Sequence, residues 1–171
     1  MTDTPPPLPS QAPHAAGRTP ADVKLRIRAA LLDKLFLLVM VVVVVGSTGF
    51  ALAQLEGNHP ARSPDDASPV LSFLILFAEL TFTTVATYFG LTISSEKHAT
   101  WGQRLTGLEV VDDRTGEAPT KGQAWNWALL QALARCSGIG LIVYIPILSH
   151  SRGQSPMDSI AHLQVVNRNK D

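Results

Sequence analysis

The stretch RIRAALLDKLFLLVMVVVVV, residues 26–45, decides the fold because it leads from a basic segment into an unbroken apolar run. No ionisable side chain occurs from Leu35 to Ala53. About 20 apolar residues suffice to cross a bilayer core roughly 30 Å thick. The stretch therefore predicts a first membrane segment at about residues 31–53. One carboxylate, Asp33, lies at the entrance of this segment, where a simple anchor would carry only Lys and Arg.

Two further apolar stretches predict membrane segments at about residues 70–93 and 124–148. The second segment is interrupted only by Glu79 and the third only by Arg135. Soluble core helices rarely stay this apolar for this long. The predicted fold is therefore an all-α membrane protein with about three membrane segments.

A small two-stranded β element accompanies these segments. The predicted loop at 94–122 contains LEVVD, and the C-terminal part at 155–167 contains a capped turn, SPMD, followed by the alternating pattern AHLQVV. Paired strands must lie on the same side of the membrane. This favours a third segment that is a broken, re-entrant hairpin, with the C-terminus in the cytoplasm, and one tilted span is the alternative.

The N-terminal part of the chain has a different character. Residues 1–20 hold six of the twelve prolines and almost no large apolar side chain, which predicts a disordered, Pro-rich tail. The remainder, 21–171, forms the predicted membrane domain, and its first helix is expected to begin at Pro20 or Ala21.

The distribution of basic residues predicts the topology. Four basic residues precede the first membrane segment at 31–53, namely Arg18, Lys24, Arg26 and Arg28, whereas only Arg62 occurs in the loop at 54–69. The positive-inside rule then places the N-terminus in the cytoplasm and the chain in the cell membrane as a multi-pass protein. The rival interpretation is a secretory signal cleaved before Gln54, but the segment ahead of its apolar core is unusually long.

Composition excludes several classes of function. The net formal charge is zero and the basic residues are scattered beside the apolar segments, which argues against nucleic-acid binding. A single cysteine, Cys136, allows no intrachain disulfide, and no metal-ligand spacing or enzyme motif occurs. We therefore expect no enzyme activity, no cofactor and no metal. The expected partners are the lipid bilayer and other membrane subunits or further copies of the chain.

Three blocks of sequence resemble the RDD family of small bacterial membrane proteins, named for one arginine and two aspartates: RIRAALLD, TWGQRLTGLEVVDDRTGEAPT and RGQSPMDSIAHLQVV. By position, the resemblance assigns the arginine to Arg26 and the aspartates to Asp33 and Asp158. It implies a membrane protein, mostly of unknown function, for which ion or solute transport has been proposed. The chain departs from the family pattern at four positions, which are Trp101 in place of a frequent Pro, Asn126 in place of an Arg, and His162 and Leu163 in place of a Gly-Thr pair.

The spacing of the signature residues limits how they can interact. Arg26 and Asp33 are two helical turns apart on one face, about 10 Å along the axis, which is too far for a direct ion pair. We expect Asp33 to meet Arg152 or Lys121, and Arg26 to meet Asp158. These contacts would fix the two strands and the capped turn against the ends of the membrane helices.

A polar stripe on the second segment is the other candidate site. A charge at the depth of Glu79 costs about 2.5–3.5 kcal/mol on insertion scales, so Glu79 is expected to face the protein interior with Arg135 as its partner. Thr83 and Thr87 follow at four-residue intervals on the same face. The first hypothesis for function is a noncatalytic accessory or scaffold membrane subunit. The alternative is a small ion or solute transporter that uses this stripe.

Overall fold

The computed structural model describes residues 19–56, 69–137 and 155–168. These residues are mostly helical and include one small sheet. In chain order the elements are α1 (Val23–Glu56), α2 (Pro69–Ser94), α3 (Trp101–Leu105), β1 (Leu108–Asp112), α4 (Lys121–Cys136), α5 (Pro156–Ala161) and β2 (Leu163–Asn167).

Within the described residues, two helices are long and apolar enough to cross a membrane, and they contain the predicted segments at 31–53 and 70–93. Helix α1 has 34 residues and α2 has 26, which correspond to about 51 and 39 Å. Most of the large apolar side chains of α1 are exposed. Surface of this kind needs a hydrocarbon environment or another protein to cover it.

Helix α1 begins at Val23, slightly later than the sequence predicts. The reason lies in the residues before it, which pair with the sheet in an extended conformation. The backbone N–H of Ala21 donates to the carbonyl oxygen of Val165 at 3.1 Å, and Pro20 forms a bridge with Val166. Helical geometry starts only where this pairing ends.

Helices α1 and α2 lie side by side in opposite directions, with Asp33 near the start of α1 in contact with Tyr88 near the end of α2. Helix α4 packs across the C-terminal half of α2. The Trp127 ring meets Phe89 edge to face, with ring centroids 5.4 Å apart. A Cβ atom added at Gly90 would lie 2.6 Å from the Trp125 ring, so only glycine permits this close approach.

Helix α4 accounts for the first half of the predicted third segment, 124–148. It begins after Thr120, whose side chain forms a capping box with Gln123, and it ends at Cys136. The rest of that segment, from residue 138, lies outside the described residues, as do most of the predicted tail at 1–20 and the position of Arg152. The number of membrane crossings after α4 therefore remains a prediction.

The predicted pairing of the two strands is confirmed. Strands β1 and β2 are antiparallel, with Val110 opposite Val165 and Asp112 opposite Leu163. Strand β2 begins at Leu163 rather than at Ala161, which ends α5. Four consecutive residues of β2 are buried, because both faces of the strand are covered. We call α3, β1, α5 and β2 together the platform, and it lies beside the start of α1 and the end of α2.

Asp112 joins the end of β1 to the start of α4. Its carboxylate accepts hydrogen bonds from the Gln123 side chain at 2.5 Å and from the backbone N–H of Arg114 at 2.8 Å. Burial is the largest single influence and raises the pKa of Asp112. The hydrogen bonds from Gln123 and from the backbone of Arg114 and Thr115, with the charge of Arg114, outweigh it and hold the pKa below its usual 3.8.

Candidate functional site

Asp33 lies at the centre of a buried hydrogen-bond cluster and is only 5% exposed. Its Oδ1 accepts from the Tyr88 hydroxyl at 2.6 Å and from the backbone N–H of Gly102 at 2.7 Å. Its Oδ2 accepts from the Thr100 hydroxyl at 2.6 Å. One carboxylate therefore joins α1, α2 and the N-terminus of α3. Hydrogen bonds to an ionised acceptor are about twice as strong as neutral ones.

The local sequence TWGQ prepares α3 for this contact. Thr100 is the N-cap, and it exchanges hydrogen bonds with Gln103 in a capping box. A glycine is needed at position 102 because α3 packs very closely against α1. An added Cβ atom would lie 2.1 Å from the carbonyl oxygen of Ala29 and 2.9 Å from the Asp33 carboxyl carbon. The carboxylate also faces the positive end of the backbone dipoles of α3.

Of the two basic partners predicted for Asp33, Lys121 is not among the groups that bind its carboxylate. The other, Arg152, lies outside the described residues, so that alternative stays a prediction. Within the described part of the chain, the groups that bind the Asp33 carboxylate are two hydroxyls and one backbone amide. The N-terminus of α3 supplies one of these donors, the Gly102 N–H, because the first N–H groups of a helix have no intrahelical partner.

Trp101, the first residue of α3, stands where the family pattern frequently has a proline, and its contacts account for this difference. Proline is favoured at the first position of a helix because its missing N–H would have no intrahelical partner there. In this chain the Trp101 N–H instead donates to the Tyr88 hydroxyl at 3.1 Å. The Trp101 ring also stacks on Phe36, with centroids 6.0 Å apart. The substitution thus adds contacts that a proline lacks.

Asp158 forms a second buried centre, and its pairing with Arg26 agrees with the prediction. Arg26 Nη2 lies 2.6 Å from Asp158 Oδ2, and the two side chains are 12% and 3% exposed. Asp158 Oδ1 also accepts from the Trp127 indole at 2.8 Å, and Oδ2 accepts from the Ser155 N–H at 3.0 Å. The ion pair therefore ties α1 to α4 and α5.

The predicted turn around Asp158 is confirmed. Ser155 is the N-cap of α5, Pro156 is its first residue, and Asp158 completes a capping box. The C-cap of α5 is His162, which adopts a left-handed conformation with φ of 54° and ψ of 44°. Glycine adopts this conformation without strain. The family's frequent glycine at this position is therefore explained by the backbone.

The polar stripe on α2 does not behave as predicted. Glu79, Thr83 and Thr87 are all exposed on the helix surface. Among the described residues, the expected ion pair between Glu79 and Arg135 is absent. The Arg135 guanidinium instead lies 4.5 Å from the centre of the Phe89 ring and donates to the Gln131 side chain. Phe89 is ten residues from Glu79, about 15 Å along the helix, which is too far for a pair.

Thr83 and Thr87 border a groove between α1 and α2. The groove has a volume of about 470 Å³, and Phe36, Met40 and Val44 form its α1 wall. Its base is formed by Thr84 and Tyr88, and Trp101 lies at one end. The walls are mainly apolar, with a few hydroxyl groups on the α2 side.

Other polar residues of the described chain suggest no chemistry. No group of three metal-ligating side chains occurs within the described ranges. Cys136 is exposed at the end of α4, and Asn126 is exposed beside Trp127. The indole of Trp127 binds the signature aspartate Asp158.

The site includes four residues that the sequence did not identify, which are Tyr88, Thr100, Gly102 and Trp127. The pattern Thr-x-x-Gln of a capping box was available for Thr100. No local pattern identifies Tyr88 or Trp127, because each contributes through a contact with a distant part of the chain.

A comparison with protein-family models identifies the family of the chain. The family model described as RDD family matches residues 20–162, which include all three signature residues. Among curated proteins and among solved structures, none matches the chain.

Proposed function

The chain belongs to the RDD family of membrane proteins, and from that premise we propose that it is a noncatalytic accessory or scaffold subunit of a larger membrane assembly. In this proposal α1 and α2 cross a bacterial inner membrane, and the platform lies on its cytoplasmic side. The platform then offers a fixed surface next to the bilayer for another membrane subunit.

The observation that carries this proposal is that all three signature charges are used within the chain. Asp33 and Asp158 are 5% and 2% exposed, and Arg26 pairs with Asp158. A residue that binds a transported ion needs an open path to solvent, whereas these carboxylates are enclosed by protein donors. Their arrangement favours a structural role, in which they fix the platform against the start of α1.

The strand pairing supports a cytoplasmic C-terminus. Strand β1 follows α2, β2 follows α5, and the residues just before α1 also pair with β2. All three parts of the chain therefore lie at the same end of the two long helices. The basic residues that precede the first membrane segment support a cytoplasmic location for this end by the positive-inside rule. A re-entrant third segment fits this topology.

Copurification with a matched pair of variants tests the proposal. Tagged protein recovered from native membranes in a gentle detergent should bring a stoichiometric partner. Arg26→Ala, which removes a buried ion pair, should reduce recovery of that partner, whereas Arg28→Ala, at an exposed position on the same helix, should not. Repeated recovery of the wild-type chain without any partner would contradict a scaffold role.

The alternative function is a small ion or solute transporter. It is motivated by Thr83 and Thr87, which line the groove, and by Glu79 on the same face. It ranks second because the described part of the chain shows no polar stripe on a second helix. Ion flux in proteoliposomes that collapses in Glu79→Gln would favour this alternative, and unchanged flux would remove Glu79 from the mechanism.

A further inference from the structure

Glu79 is a carboxylate on the outer face of a membrane helix, and it has no partner among the described residues. Its side chain is exposed, and among the described residues no hydrogen bond or ion pair involves it. A lone carboxylate is unfavourable in hydrocarbon, where charged groups normally face another protein group. The position therefore requires a partner that the described chain does not supply.

The depth of Glu79 follows from its distance to the Asp33 cluster. Tyr88 binds Asp33 just before the apolar run of α1 begins, which places both residues near the membrane boundary. Glu79 is nine residues from Tyr88, about 14 Å along α2. Half of a bilayer core is roughly 15 Å, so Glu79 lies close to the midplane.

The surface next to Glu79 combines exposed hydroxyl groups with an apolar groove. Thr83 and Thr87 are exposed one and two turns from Glu79, toward the platform. Both border the groove of about 470 Å³ whose opposite wall includes Phe36 and Met40. An incoming helix can place apolar side chains in this groove and polar side chains against the hydroxyls, as packed membrane helices do.

We propose that Glu79, Thr83 and Thr87 form the docking seat for a transmembrane helix of a different protein subunit, which carries a lysine or arginine at the depth of Glu79. This inference rests on the scaffold function proposed above and names the chemistry of the partner.

A second copy of the chain is a poor occupant of this seat. At the depth of Glu79, α1 presents Val42 and Val43, which are exposed and apolar. Helix α2 of a second copy would offer another carboxylate at the same level. The described basic residues lie near the ends of α1 and α2, in or beside the platform, or on α4, where Lys121 is at the start and Arg135 lies on the Phe89 ring. Because none of these described side chains lies at the depth of Glu79, the complementary charge is assigned to another protein.

Site-specific photo-crosslinking in the full-length protein tests the seat. A benzoylphenylalanine probe replaces Thr83 in native membranes, and a control probe replaces Leu38, which is 60% exposed and lies on the opposite face of α1 from the groove. The Thr83 probe should crosslink to a transmembrane peptide of another protein with a Lys or Arg within two helical turns. We expect an adduct about tenfold stronger than that of the Leu38 probe, equivalent to a binding difference of about 1.4 kcal/mol.

A second variant separates the charge from the shape of the seat. Glu79→Leu should lower the Thr83 adduct about tenfold, while the thermal unfolding midpoint of the chain stays at or above the wild-type value, since a polar group leaves an apolar surface. A probe at Thr87 repeats the measurement in case the Thr83 probe blocks docking. An adduct that persists in Glu79→Leu overturns the inference.

The remaining outcomes also decide the question. Crosslinks from both probes only to lipid, to a second copy or to residues of the same chain would overturn the inference. The scaffold function itself would survive such a result, because it depends on recovery of a stoichiometric partner with the wild-type chain. Loss of that recovery would instead remove the proposed function.

Discussion

Replacing Asp33 with alanine should destabilise the protein strongly, because one side chain accepts three buried hydrogen bonds. The change leaves the hydroxyls of Tyr88 and Thr100 and the backbone N–H of Gly102 without their acceptor. Each buried donor left unsatisfied costs about 1–3 kcal/mol. Water that enters at the membrane boundary satisfies part of this need, so we expect a loss of about 3 kcal/mol or more in the free energy of unfolding.

Asparagine at the same position provides a graded comparison. Its carbonyl oxygen can still accept from Tyr88 and Gly102, but its amide group cannot accept the hydrogen bond that the Thr100 hydroxyl donates. One acceptor and the assistance of the charge are lost, so Asp33→Asn should cost about 1–2 kcal/mol, less than alanine. Lys34→Ala, at the exposed neighbouring position, serves as the control and should change stability by less than about 0.5 kcal/mol.

Reversible unfolding by sodium dodecyl sulfate in mixed micelles, followed by circular dichroism, measures these differences. Protection of the Gly102 amide from hydrogen exchange reports the hydrogen bond directly and should fall in Asp33→Ala. If alanine and asparagine cost the same, or if both cost as little as Lys34→Ala, the carboxylate does not hold α3 in the way described. The interpretation of Asp33 as a structural centre would then be wrong.

Four further predictions use the same unfolding assay. Gly102→Ala should lower the free energy of unfolding by about 2 kcal/mol or more, because its Cβ atom would meet a backbone oxygen of α1 at 2.1 Å. Gly122→Ala, where space is open, serves as the control. Arg26→Ala and Asp158→Ala should each lower the free energy of unfolding by about 3–5 kcal/mol, and the double variant should lower it by less than the sum of the two. Simple additivity of the two losses would exclude a direct ion pair. His162→Gly should add up to about 1 kcal/mol by relieving its left-handed backbone, and a loss of stability would indicate that the side-chain contacts of His162 matter more. The lowered pKa of Asp112 stabilises the fold above pH 3.8, and this contribution disappears as the pH falls through the folded-state pKa. Asp112→Asn should therefore lack that part of the acid transition. An acid unfolding profile identical to that of the wild type would refute this role of Asp112.

The sequence predicts those parts of the fold that depend on local pattern. The length of the apolar runs identifies α1 and α2, and the capped turn around Ser155 follows from the residue types at four successive positions. The strand partners are also predictable, because only two short β-rich segments lie outside the apolar runs. These features depend on side chains that are close in sequence or on simple hydrophobic length.

The partner of Asp33 is not predictable in the same way. A search for opposite charges suggests Arg152 or Lys121, but backbone N–H groups and a tyrosine hydroxyl carry no formal charge and escape such a search. The orientation of Glu79 is equally hidden, because the remainder of α2 is apolar and the stripe of Glu79, Thr83 and Thr87 does not by itself show whether it faces inward or outward. Both properties depend on which helices pack together, and that information is not local.

The role of the aspartate at the entrance of the first membrane segment becomes clear when it is compared with a basic residue at the same position. A lysine or arginine at this depth can reach lipid phosphates, so it fixes the helix only loosely with respect to its neighbours. Within the described residues, the Asp33 carboxylate is satisfied by Tyr88, Thr100 and Gly102 together. The penalty for an unsatisfied carboxylate then enforces one arrangement of α1, α2 and α3. Asp33 therefore specifies the position of the platform, whereas an ordinary basic anchor would only hold α1 at the membrane surface.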